Sequence, residues 1–123
     1  AKPVAARCTL AGGSFFDGVP AGADGYIMKY IIHDWDDDRS LTILRHCRAA
    51  MAPGGRVLVV DNVISRGNAP DWGKLLDINM LALTGGMERT RAQFEALFAK
   101  AGLNLRKIHA TRAAVKILEA TAA

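Results

Sequence analysis

Two nearly continuous apolar runs of strand length, Tyr26 to Ile32 and Arg56 to Val63, do most to limit what this chain can fold into. Runs without polar alternation suit parallel strands covered on both faces, and parallel neighbours need a crossover between them. The intervening stretch supplies one: Asp36 or Asp37 can cap a helix, Ile43, Leu44, Cys47 and Met51 form one stripe, and Pro53-Gly54-Gly55 stops it. A right-handed strand-helix-strand unit is therefore expected. Half of the 123 residues are hydrophobic, enough for one core of single-domain size, and the sequence shows neither an internal repeat nor a low-complexity linker.

Further along, Trp72 to Leu83 reads as a largely buried helix, because Leu75, Leu76, Ile78, Met80, Leu81 and Leu83 cover more than one face. Gly85-Gly86 ends it. Thr90 offers a capping box with Gln93, and the stripe Phe94, Leu97, Phe98 and Ala101 is closed by Gly102. Leu103 to Ala110 and Ala113 to Ala120 predict two strands joined by a tight turn at Thr111-Arg112. The expected class is α/β, with a mixed sheet that is parallel at one side and antiparallel at its end.

The formal charge of +4 comes from 16 basic against 12 acidic residues, with the arginines scattered and few aromatics among them. This is a mildly basic surface, so no nucleic-acid partner is expected. Cys8 and Cys47 stand far apart without CxxC spacing, which favours free thiols in a reducing cytoplasm. No segment approaches the roughly 20 apolar residues of a membrane span, and the first residues have no apolar leader region. A soluble cytoplasmic protein is expected, and the missing initiator Met suggests a processed, trimmed or excised piece.

The chemistry concentrates at the end of the first run, where Met28-Lys29-Tyr30-Ile31-Ile32 delivers His33, Asp34 and Trp35. Strand ends of open α/β sheets are where ligands bind, and histidine titrates near neutrality. Asp61 ends the second run and Glu88 follows the glycine turn. A carboxylate on one imidazole nitrogen fixes the tautomer and leaves the other nitrogen free to take a proton. The acidic run Asp34, Asp36, Asp37 and Asp38 lacks the glycine and distal glutamate of a calcium loop, so capping explains it and no metal is expected. His46 and His109 read as surface or structural residues.

MKYIIHDWDDD, then PGGRVLVVDNVI, LLDINMLALTGGMERT and a helix ending in AGL resemble, in order and spacing, the C-terminal part of the S-adenosylmethionine-dependent O-methyltransferases of the caffeate, hydroxyneurosporene and polyketide-tailoring type. The resemblance covers nearly the whole chain and implies part of a Rossmann-like catalytic domain over residues 1–123. It implies that His33 is the general base and that Asp61 and Glu88 flank it. It also implies that Ser14, Phe15 and Lys29 lie at the cofactor, and that Trp35, Asp77, Asn79, Met80 and Thr84 face a hydroxylated aromatic or polyketide-like acceptor.

The sequence departs from that family in three ways. No glycine-rich strand-turn-helix precedes these motifs, and the family's Gly-Gly-Asp-Phe-Phe element reads Gly12-Gly13-Ser14-Phe15-Phe16. Residues 1–123 are therefore expected to be a partial catalytic domain, without the family's glycine-rich cofactor half and N-terminal helical dimerisation domain. Two other readings follow: a non-catalytic binding or assembly module, and a hydrolase using Ser14 with His33, although Gly13-Ser14-Phe15 is not a G-x-S-x-G elbow. An uncovered edge on the strand Tyr26 to Ile32 is expected to cause self-association unless Arg7 to Gly12 folds back on it.

Overall fold

The computed structural model describes residues 2–123. In chain order it contains α1 (Lys2–Ala5), β1 (Gly25–Lys29), a 3-10 turn (Ile32–Asp34), α2 (Asp37–Ala50), β2 (Arg56–Asp61), β3 (Val63–Ile64), α3 (Trp72–Leu83), β4 (Arg89–Thr90), α4 (Arg91–Lys100), β5 (Leu103–His109) and β6 (Lys116–Ala122). The main sheet has the order β1-β2-β6-β5, with β1 parallel to β2 and both remaining pairs antiparallel. This is the expected mixed sheet with its antiparallel end.

One face of that sheet carries the core. Val57 and Val59 of β2 and Leu118 and Ala120 of β6 lie under Ile43, Leu44 and Cys47 of α2 and Phe94, Leu97 and Phe98 of α4. α2 begins as its sequence requires: the Asp36 carboxylate accepts the Arg39 N–H at 2.9 Å, and Asp37 and Asp38 sit in the first turn, where the helix dipole favours acids. α4 has the full capping box, with Thr90 Oγ1 accepting from the Gln93 amide and the Gln93 side chain accepting from the Thr90 amide.

Several expectations are corrected. The first apolar run is not covered on both faces, since Ile27, which pairs in register with Leu58, is 70% exposed; β2 is buried at Val57 and Val59 on one face and at Val60 on the other, with Leu58 half-buried. The first strand stops at Lys29, because Tyr30 turns into the left-handed region and Ile32 belongs to the 3-10 turn. The second stops at Asp61; after Asn62 the chain leaves the main sheet to pair Val63 and Ile64 with Arg89 and Thr90. β6 starts at Lys116, later than expected, since Thr111 Oγ1 donates to the Val115 carbonyl and holds a longer loop in place of a tight turn. α3 has the expected bounds but not the expected burial, for Trp72, Leu75, Ile78, Leu81 and Leu83 are exposed and Gly73 is its buried residue.

β1 is an edge strand, and the segment Arg7 to Gly12 is exposed without pairing to it. Among the described residues no helix is long and apolar enough to cross a membrane.

The two kinds of apolar helix face make a direct test in denaturant unfolding. Leu44→Ala in the core is expected to cost about 2–5 kcal/mol, whereas Leu75→Ala on the open face of α3 should change stability by less than about 0.5 kcal/mol. A large loss at Leu75 would mean that α3 is covered in solution.

Candidate functional site

Three turns of chain meet where β1 and β2 end. The last rung between them is the Tyr30 amide donating to the Val60 carbonyl at 3.0 Å. Tyr30 then takes φ 55°, a conformation that costs a non-glycine residue about 1–2 kcal/mol. The chain reverses into the 3-10 turn and buries His33. Because β2 ends one position later at Asp61, and β3 recruits β4 beside it, Glu88 arrives at the same place.

The resulting geometry brings the three expected residues together. His33 Nδ1 lies 2.7 Å from Glu88 Oε1 and 3.6 Å from Asp61 Oδ1, while Nε2 is 3.5 Å from Asp34 Oδ1. An ionised carboxylate only accepts, so an ionised Glu88 places a proton on Nδ1 and leaves Nε2 with its lone pair. Burial works to lower the His33 pKa, but the Glu88 hydrogen bond and the charges of Asp61, Glu88 and Asp34 outweigh it and hold it above the usual 6.5. Asp61 is fully buried with neither oxygen hydrogen-bonded, and burial pushes its carboxyl up to about 7 against the attraction of His33. The donor atoms of His33, Asp61 and Glu88 lie within 4.8 Å of one another, a set that could also take a divalent cation.

The glycine turn between α3 and β4 locks onto this cluster. The Met87 amide donates to the His33 carbonyl at 3.0 Å, and a Cβ on Gly86 would overlap that same oxygen, so only glycine fits. Two residues expected at the acceptor shape the turn: Asp77 Oδ1 accepts the Glu88 amide at 2.7 Å, and Thr84 Oγ1 accepts the Gly86 amide at 3.1 Å. Asn79 is exposed and Met80 half-buried on α3.

Ser14 and Phe15 border a cavity of about 560 Å³, and Phe15 and Lys29 border a second of about 360 Å³ against the open edge of β1. Trp35, expected at the acceptor, packs edge-on against Phe16 and Phe15, with ring centroids 4.8 and 6.4 Å apart. His46 Nε2 holds the Phe16 carbonyl at 2.9 Å, and His109 pairs with Glu119. Among the described residues no hydrogen bond joins Ser14 to His33; the Ser14 hydroxyl accepts the Phe16 amide instead.

Sequence reasoning missed Arg89. Its guanidinium is 1% exposed and donates to the carbonyls of Ile32 at 3.1 Å and Trp35 at 3.0 Å, which bracket His33, and to Asp37 Oδ1 at 2.9 Å. Only its place directly after Glu88 in the glycine-turn motif could have drawn attention to it.

Residues 1–104 match the family described as the O-methyltransferase domain. The chain belongs to that family. It is 46% identical over 114 residues to the phenazine O-methyltransferase PhzM of Lysobacter antibioticus, covering 93% of this chain and 33% of that protein. The solved structure of NcsB1, an O-methyltransferase from neocarzinostatin biosynthesis, in complex with S-adenosylmethionine and 2-hydroxy-5-methyl naphthoic acid, superposes with a TM-score of 0.87 at 40% identity; the match covers 99% of this chain and 35% of that one. Aclacinomycin 10-hydroxylase RdmB of Streptomyces purpurascens is 41% identical over 104 residues, covering 83% of this chain and 28% of that protein. The chain spans about a third of the length of these relatives. Because they include both methyltransferases and a hydroxylase, the reaction has to be argued from the site itself.

The site makes stability fall as pH rises. Asp61 binds its proton more tightly folded than unfolded, so its contribution is full below about 4 and lost as pH climbs to about 7; His33, also raised, adds stability below 6.5 that is lost through its folded pKa. Unfolding midpoints in urea should therefore be lower at pH 8 than at pH 5, and Asp61→Asn should flatten the slope. A midpoint that rises across this range would contradict the assignment.

Proposed function

We propose that this chain is the acceptor-side part of an S-adenosylmethionine-dependent O-methyltransferase acting on a hydroxylated aromatic or polyketide-like small molecule, with His33 as general base. The observation that carries this reading is the 2.7 Å contact of His33 Nδ1 with Glu88, which directs the basic lone pair to Nε2. When bound, S-adenosylmethionine supplies a sulfonium methyl group that needs no activation. What remains for the protein is to align an oxygen nucleophile and remove its proton. Nε2 takes the hydroxyl proton, and the imidazolium so formed is held by the Glu88 and Asp61 carboxyl groups. The cavities beside β1 fit a flank of the cofactor: Ser14, Phe15 and Lys29 would hold it, with the Phe15 ring and the exposed Lys29 ammonium lining one of them.

In the whole protein, assayed with S-adenosylmethionine and a hydroxynaphthoate, His33→Ala should lower turnover by about 10²- to 10⁴-fold with little change in cofactor affinity. Glu88→Gln and Asp61→Asn should lose less, since they orient the base without receiving the proton from the acceptor. Unchanged turnover in His33→Ala would refute the proposal.

The same reading implies association with a second copy. β1 presents unpaired backbone groups along one edge with Ile27 exposed beside it, and Arg7 to Gly12 does not cover it. Light scattering of this chain at micromolar concentration should report a dimer or larger species, and a clean monomer would contradict it.

A further inference from the structure

We infer that Tyr30 is a positioning residue for His33, its ring forming a wall that fixes the plane of the imidazole. Three groups hold the imidazole by its edges: Glu88 and Asp61 at Nδ1 and Asp34 near Nε2. All of these act in the plane of the ring, at its edges, and none of them packs against its face. Tyr30 does, for its ring stacks on the imidazole at a centroid separation of 5.2 Å and an interplanar angle of 26°. The left-handed φ of 55° is what carries the side chain there, starting at the residue whose amide makes the last sheet bond. Among the described residues Tyr30 is the only non-glycine in that region, where glycine or asparagine would sit at less cost. Strain kept at a residue that touches a reactive group points to a gain at that group. Outside the stack, Lys29 Nζ lies 5.4 Å from the centre of the Tyr30 ring, so the wall has a cation on it and stays partly open to solvent.

This inference rests on His33 as the base for its functional meaning, but the stack can be tested without turnover. Proton NMR of the imidazoles in this chain has His46 and His109 as internal references. The His33 carbon-bound protons should lie upfield of theirs, shielded by the Tyr30 ring; Tyr30→Phe should keep the shift, and Tyr30→Gly should lose it without lowering the melting temperature, since glycine relieves the backbone. If Tyr30→Gly does not fold, Tyr30→Asn, which also accepts the left-handed region, gives the same reading. Unaltered His33 shifts without the ring overturn the stack. In the whole protein, removing the wall should lower kcat by about tenfold with the cofactor KM unchanged, and Tyr30→Phe should restore it. An unchanged kcat in Tyr30→Gly with an inactive His33→Ala overturns the positioning role, whereas unchanged kcat in both variants overturns the base reading instead.

Discussion

The buried guanidinium of Arg89 is the tie on which the site depends. Its fork reaches from its own strand beside Glu88 to one stretch more than fifty residues away in sequence, where it takes the carbonyls on both sides of His33 and the first turn of α2 at Asp37. Buried carbonyls need donors, and a guanidinium offers five in a fixed plane. By satisfying two of them with one side chain, Arg89 fixes the distance between the turn that carries His33 and the turn that carries Glu88. Gly86 completes the lock from the other side, where the close approach to the His33 carbonyl leaves no room for a Cβ.

That lock creates an electrostatic tension. Two carboxyl groups face one imidazole nitrogen in a space closed to water, and only one of them is hydrogen-bonded to it. The unpartnered Asp61 therefore holds a proton more tightly than an exposed aspartate, and His33 is pushed toward its protonated form. A proposed base with this surrounding accepts a proton readily and keeps the charge it gains stabilised. The arrangement is unfavourable for folding at neutral and higher pH, a cost placed where a function can use it.

Local signals were legible in the sequence and long-range ones were not. The Thr90–Gln93 capping box and the Asp36 cap depend on residues three apart, so spacing alone finds them. His33, Asp61 and Glu88 were legible because each stands at the end of an element. The break at Tyr30 was hidden, since Ile31 and Ile32 continue the apolar run that a strand would show, and Ile32 is indeed buried, but in a turn. Burial of α3 could not be read, because its apolar faces report a need for cover without saying whether this chain supplies it. Arg89 was passed over because arginine is a surface residue by type, and only the fold reveals the carbonyls that keep it inside.

The central claim is that Glu88 sets the protonation of His33. Nitrogen-15 NMR titration of the His33 imidazole, in the wild type and in Glu88→Gln, measures it directly. The account requires that His33 titrate above 6.5, that its neutral form carry the proton on Nδ1, and that Glu88→Gln lower the titration point. A His33 that titrates at or below 6.5, with its proton on Nε2 and no response to Glu88→Gln, would contradict it.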